Sequence, residues 1–406
     1  MTTIKSGTTT KPGAAVAVTT IALGVDMFLY GSIVPILPRL PAVNGSALIS
    51  GLLFTAYAAA LLVATPFVGI WVDRAGPRPA MLAGLVGLAV TTVLFAGVAG
   101  GSLAVLLIAR VAQGMAAAAS WIAGLALIAA THDASRRGRV MGLALSAIGI
   151  GVLLGPGISG ALADAFGTAA PFLVVAALAA ADAVARLVLI KPMAVAESRT
   201  PLRTVLRGPK VPLLVLLTAV GAGSIAFLEP ILPLHLSGLG LDSTMIGLVF
   251  SAGALVGAVG APLAGLWADK LRPAPAAAIG AVVAAVGFLL AGMGSTVVSI
   301  IGVLIVDFGA TLVLAPTLVL IGVLAEHSSP PAYGAAYALY NLAYTTGLAI
   351  APIASGTTAR LLSVPTATIA AAVVVAVLSL GAFAVRSGNV SDRGTPRPAT
   401  TSRRPR

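Results

Sequence analysis

The stretch GLLFTAYAAALLVATPFVGIWVDR at 51–74 returns as GLVFSAGALVGAVGAPLAGLWADK at 247–270, with ten identities in 24 positions at an offset of 196. Each copy is a long apolar run closed by a charged turn. About 20 apolar residues carry a helix across the roughly 30 Å hydrocarbon core, so each copy reads as a membrane span. The same offset recurs elsewhere: Gly151, Gly155, Pro156, Ser159 and Gly160 fall on Gly347, Ala351, Pro352, Ser355 and Gly356. PILP stands at 35–38 and again at 230–233, one residue out of that register. Apolar composition alone does not bring Pro, Gly, Trp and Asp into register three times. The chain is a duplicated unit.

Of the 406 residues, 59% are hydrophobic and only 9% charged, against about 25% charged in ordinary soluble domains. This excludes a soluble enzyme, a disordered protein and a nucleic-acid binder. With no cysteine there is no disulfide, thiol nucleophile or thiolate metal site. The three histidines, His132, His235 and His327, are too scattered for a metal motif, and neither a metal nor a cofactor is expected. Twelve apolar stretches read as spans, near 14–38, 46–70, 78–100, 103–130, 138–163, 170–190, 211–236, 244–268, 275–293, 296–325, 333–360 and 364–386. Many of the 46 glycines and 26 prolines lie inside them, which packed membrane helices tolerate. Six spans per copy is an even number, so both copies enter from the same face. They are then related by an axis along the membrane normal, as in secondary transporters whose site lies between the halves at mid-depth.

The expected fold is an all-α membrane protein of two pseudo-symmetric six-helix bundles, 14–190 and 211–386, joined by a linker at 191–210. A tail at 1–13 precedes them, and the Arg-, Pro-, Ser- and Thr-rich tail at 387–406 reads as disordered. Of the 24 Lys and Arg, 20 fall on one side of this scheme. That side is cytoplasmic by the positive-inside rule, so both termini are expected inside. The net charge of +12 is then a topology signal in a protein that meets the lipid bilayer, not nucleic acid.

Four of the twelve acids lie within spans: Asp26, Asp182, Glu229 and Asp307. A carboxylate there is costly, so each needs a reason. At roughly 1.5 Å per residue, Asp26 stands about 18 Å into the first span and Asp307 about 15 Å into the tenth, both near mid-depth. Asp182 has Arg186 four residues on, spaced for an ion pair along one helix face. Asp26, Glu229 and Asp307 are left over. A cation and a proton both neutralise such an acid, and competition between them gives exchange. Asp26, with Tyr30 one turn away, is the expected amine contact; Glu229 and Asp307 are the expected proton carriers. Tyr340, Asn341 and Tyr344 on the eleventh span are expected to line the cavity. Arg110, Gln113 and Gly114 share a face of the fourth span, and Arg110 should find acceptors in the interior.

These residues resemble the major facilitator superfamily over essentially the whole chain. GIWVDRAGPRP carries Gly69, Asp73, Arg74, Gly76 and Arg78 in the pattern of the family's loop between spans 2 and 3. The second copy keeps Gly265, Asp269 and Lys270 but has Arg272 where Gly is usual. The resemblance implies gating at this loop and at Asp269 of its second copy, with Asp73 able to bridge the cytoplasmic seam. Arg110 resembles the family's helix-4 arginine associated with proton coupling. Gly142, Gly151, Gly155, Pro156 and Gly160 match the helix-5 pattern of the antiporter branch. There the glycines permit close packing. A nearer likeness is to the vesicular monoamine and acetylcholine transporters and their bacterial drug-efflux relatives, where Asp26, Glu229 and Asp307 match acids one at a time. That pattern has an acid where Asn341 stands.

The resemblance implies a proton-coupled antiporter, not an enzyme. Its small-molecule substrates would be organic cations, amphipathic drugs or amines. The Ala-, Gly-, Val- and Arg-rich composition points to a high-GC bacterium and a multi-pass exporter of its plasma (inner) membrane, expected to be a monomer. The alternative within transport is an exporter of a neutral or sugar-like metabolite.

Overall fold

The computed structural model describes residues 12–97, 101–132, 134–191, 211–271, 273–326 and 333–388. The 1–11 part of the N-terminal tail, the linker from 192 to 210, Arg272, His327 and the C-terminal tail from 389 lie outside the described residues. Twelve helices of 18 residues or more follow in order: α1 Pro12–Ser32, α2 Ala47–Ala75, α3 Pro77–Gly97, α4 Leu103–Thr131, α5 Ala134–Phe166, α6 Ala170–Leu189, α7 Val211–Leu228, α8 Ser243–Leu271, α9 Pro273–Ala291, α10 Thr296–Glu326, α11 Tyr333–Leu361 and α12 Val364–Gly388. Among the described residues, nine helical segments are long and apolar enough to cross a membrane. Two shorter apolar runs, Pro275–Ala291 in α9 and Val364–Leu378 in α12, add to these. No strand occurs among the described residues, as a chain without water partners requires: in lipid, helices satisfy their own backbone groups.

Local signals explain where helices stop. The first and seventh spans both break at the repeated PILP. A 3-10 turn, Val34–Arg39, follows α1, and a short helix, Leu232–Gly238, follows α7 beyond Glu229 and Pro230. Proline brings no N–H to the helix ladder, so the break recurs with the repeat. Between α2 and α3 stands Gly76 alone, at φ +80°, its N–H returning to Val72 O at 2.9 Å. Only glycine takes that conformation without strain.

Packing repeats the duplication. In the first half α1 packs on α5, α2 on α4, α3 on α4 and α6; in the second α7 packs on α11, α8 on α10, α9 on α10 and α12. The halves meet along two seams, α2 with α11 and α5 with α8, which exchange under the same symmetry. Glycine makes both possible. A Cβ on Gly51 would strike the backbone of Pro352, and one on Gly247 the backbone of Pro156, its symmetry mate. Gly160 and Gly356 press in the same way on Ser243 and Ala47. These contacts lie toward the ends of the helices next to the Val34–Arg39 turn. At the opposite end, a Cβ on Gly69 would meet nothing within 4 Å, and Asp73 and Arg74 are exposed.

One seam carries a polar clasp. Asp164 on α5 accepts from Arg39 Nη1 at 2.8 Å, and through its other oxygen from Thr244 N at 2.7 Å and Thr244 Oγ1 at 2.6 Å at the start of α8. Arg39 Nη1 also donates to Ala163 O at 2.9 Å. At the matching places in the other seam stand Arg360 and Leu48, so the clasp breaks the symmetry. The side chains of the Arg39–Asp164 pair are 40% and 32% exposed, and its charge part is worth little. Asp164→Ala should therefore open this seam by about three- to tenfold in population, mostly through the lost hydrogen bonds. Spin-label distances between the ends of α5 and α8 measure it; an unchanged distribution removes the clasp from seam control.

Candidate functional site

The centre is built from the first half outward. Gly114 on α4 lets the backbone of Tyr57 on α2 come close; a Cβ there would lie 3.0 Å from Ala60 Cβ and strike Tyr57 O. The approach sets the Tyr57 ring 4.7 Å from the Arg110 guanidinium carbon, with Phe54 at 5.9 Å. Arg110 Nε donates to Leu53 O and Nη1 to Gln113 Oε1, both at 3.1 Å, and Gln113 Nε2 donates to Thr92 Oγ1 at 3.2 Å. Nη2 has no hydrogen-bond partner among the described residues. A cation at the bilayer centre costs about 2.5–3.5 kcal/mol on insertion scales. Two charge-assisted bonds and two ring faces offset this, a desolvated cation–π contact being worth about 2 kcal/mol.

Tyr57 passes the contact on. Its hydroxyl donates to Asp26 Oδ1 at 2.7 Å, and Trp121 Nε1 on α4 donates to Asp26 Oδ2 at 2.7 Å. Asp26 is fully buried. Tyr30 lies one turn along α1 from Asp26. Its ring lies 5.5 Å from both Phe54 and Tyr57, and its hydroxyl donates to Glu229 Oε2 at 2.6 Å. That bond joins the first half to the break after α7. Asp26 and Glu229 are therefore separate stations, each with its own tyrosine.

The second half closes the cluster. Asp307 on α10 is half-buried, and a Cβ on Gly253 of α8 would collide with its carboxylate. Asp307 and Glu229 lie within Coulomb reach of each other, and Tyr344 within reach of both. Tyr340 stacks on Tyr344 with centroids 6.5 Å apart, and Asn341, half-buried, stands between them along α11. The fold thus gathers Asp26, Tyr30, Arg110, Glu229, Asp307, Tyr340 and Tyr344 at the centre. Tyr57 and Trp121 were missed from sequence, though a Tyr or Trp in a span needs a partner for its polar end.

The remaining expected residues sit apart. Gly151 and Gly155 press on α1: a Cβ on Gly155 would stand 2.9 Å from Phe28 O, and one on Gly151 2.8 Å from Met27 Cβ. Pro156 packs against Gly31, where a Cβ would lie 2.9 Å from its Cδ. Gly160 faces α8, so the helix-5 pattern serves one joint inside a half and one between halves. Gly142 lies on α5. Of the charged turn, Gly76 makes the tight turn; Arg78 Nη2 donates to Leu187 O of α6 at 3.3 Å. Gly69 makes no close approach. Asp269 belongs to α8, with its side chain outside the described residues. Asp182 and Arg186 pair at 2.9 Å as their spacing suggested, and Arg186 Nη2 also holds Val18 O of α1 at 2.6 Å. Among the described residues no group of three His, Asp or Glu is placed to hold a metal.

A set of acids on helices apolar enough to cross a membrane, with Arg110 buried beside them, lies between two symmetric bundles. The chain belongs to the Major Facilitator Superfamily, whose model matches residues 16–328. It is 30% identical to the human synaptic vesicular amine transporter over 328 residues, 78% of this chain and 62% of that protein, so it spans less than two thirds of that relative. It is 28% identical to a probable vesicular acetylcholine transporter-B of Danio rerio, covering 83% of this chain and 72% of the relative. Among solved structures, a bacterial homolog of the human lysosomal transporter Spinster, inward-facing and occupied, superposes with a TM-score of 0.79 at 15% identity. That match covers 95% of this chain and 100% of the other and bears on the fold alone.

Proposed function

We propose that the chain is a proton-coupled antiporter that exports organic cations, amphipathic drugs or amines by alternating access. The supporting observation is the gathering of three carboxylates, Asp26 from one half and Glu229 and Asp307 from the other, around a site that spans the seam. Asp26 is the substrate acid, with Tyr30, Tyr340, Asn341 and Tyr344 around the site. Glu229 and Asp307 carry protons, and Arg110 tunes the charge beside them. A proton and a cation neutralise the same acids in turn, which couples their movements without further machinery. The relatives named for amine and acetylcholine transport favour amines over neutral metabolites.

The charged turn holding Gly69, Asp73, Arg74, Gly76 and Arg78, with Asp269 in the second copy, gates the cytoplasmic end. Gly160 of α5, pressed on Ser243, helps to seal the other, while Gly151 and Gly155 hold α5 against α1. The bias of basic residues supports both termini lying in the cytoplasm; in this reading the protein is a plasma-membrane exporter acting as a monomer. Reporter tags on the two termini should both read cytoplasmic; an external C-terminus overturns the sidedness. The function itself is tested by pH-gradient-driven uptake into inverted vesicles, screened over cationic dyes, amines and neutral drugs. Uptake of cations that collapses with the gradient is expected; uptake of neutral compounds alone refutes cation export.

A further inference from the structure

Asp26 has one donor on each oxygen, and neither donor is a cation. Arg110 uses Nε and Nη1 on Leu53 and Gln113 and acts on Asp26 through space, without a hydrogen bond to it. The two donors differ in their freedom to move. Tyr57 is 1% exposed, lies against Arg110 at 4.7 Å and packs on Tyr30 at 5.5 Å. Shifting it would strip a buried guanidinium of its best ring face. Trp121 is half-buried and packs on the buried aliphatic cluster of Leu23, Ile128 and Ala144. It stands off the exposed stripe of α4 formed by Ile108, Val111 and Met115, so its open part does not share the face that meets lipid.

We propose that Trp121 is a specificity-determining residue: in the empty protein its indole N–H occupies Asp26 Oδ2, and it yields that oxygen to the N–H of a protonated amine while Tyr57 stays on Oδ1. The proposal rests on the export of cations argued above and names the kind of cation. A neutral donor displacing the indole exchanges like for like and still loses its freedom of motion. A protonated amine brings a bond roughly twice as strong, with attraction that the low-dielectric interior magnifies. A quaternary ammonium brings charge but no N–H, so displacing the indole would leave Oδ2 without a donor. It binds with the indole in place. Protonated amines should therefore outrank quaternary ammoniums, and both should outrank neutral isosteres.

The test uses the full chain and three probes: a tertiary amine, its N-methylated quaternary analogue and a neutral isostere, at about pH 8.5, where protons compete least for a carboxylate. Trp121→Phe removes the competing donor and should tighten the amine by about three- to tenfold, leaving the other two probes unchanged. Tyr57→Phe removes the fixed support and should weaken the amine about tenfold. Opposite signs from two donors on one carboxylate are not the mark of general structural damage. In a protein keeping only Trp121 of its three tryptophans (Trp71→Phe, Trp267→Phe), amine should shift the indole emission and the quaternary analogue should not. The emission reads out even where Trp121→Phe does not fold. Weakened or unchanged amine binding in Trp121→Phe, or emission blind to the amine, overturns the proposal. If the wild type binds no amine, or Asp26→Asn binds it equally well, cation recognition at Asp26 fails and the proposal goes with it.

Discussion

Changing Asp307 to Asn is expected to stop pH-driven accumulation of substrate while sparing part of its downhill exchange. Exchange of one substrate molecule for another needs no net proton movement, whereas accumulation does. Asp307 is the carboxylate of the central set that is half-buried; Asp26 and Glu229 are buried, each against a hydroxyl. Asparagine keeps its size and polarity but carries no titrating proton. Accumulation driven by an imposed pH gradient should fall at least about tenfold, the loss of roughly 1.4 kcal/mol of coupling. Asp26→Asn should act differently: it removes the counter-charge, weakening cationic substrates and sparing neutral ones. In the wild type, cation affinity should fall as pH drops, because protons compete for the same acids. The measurement is affinity from about pH 5.5 to 8.5, a span wide enough to bracket a titrating carboxylate, in the wild type and both variants. A flat wild-type profile, or accumulation at the normal rate in Asp307→Asn, returns the acids to structural roles.

Much of this was legible because duplication and charge scarcity are linear properties of the chain. The offset of 196 paired Gly51 with Gly247 and Pro156 with Pro352 in sequence, and the same four residues meet across the two seams. The repeated PILP marked the duplication, but the spans 14–38 and 211–236 were read through it, whereas the helices end at Ser32 and Leu228. Acids within the spans were found by cost alone. Side-chain direction was not legible. Asp26 and Tyr30 are one turn apart, yet rotation about α1 sends one into the first half and the other to Glu229 in the second. Tyr57 and Trp121 went unnoticed because their roles come from α2 and α4 crossing α1, which no local pattern records. The clasp at Asp164 also escaped, since Arg39, Asp164 and Thr244 are distant in sequence.

Gly160→Leu should hold the transporter open at the end where the halves now touch. A side chain there would strike Ser243 O and approach Thr244 Cα, where even a Cβ would be 2.9 Å away, in the first turn of α8. Both atoms are backbone, so no rotamer relieves the clash; the seam between α5 and α8 must part. Overpacking of this kind costs about 1–3 kcal/mol, enough to shift a two-state equilibrium by about five- to 150-fold. Gly155→Leu makes a clash of similar size, but against Phe28 in α1 within the same half. It should lower the stability or yield of the protein instead of moving the halves. Gly356→Leu, the symmetry mate at the other seam, should reproduce the effect of Gly160→Leu. Spin-label distances across the two seams, with thermal stability in detergent, separate the outcomes. Gly160→Leu should lengthen the α5–α8 distance with little change in stability, and net transport should fall at least about tenfold because one conformation is no longer reached. Normal transport with an unaltered α5–α8 distance would mean that α8 yields locally, and the seal would then have to lie elsewhere than in the glycines of helix 5.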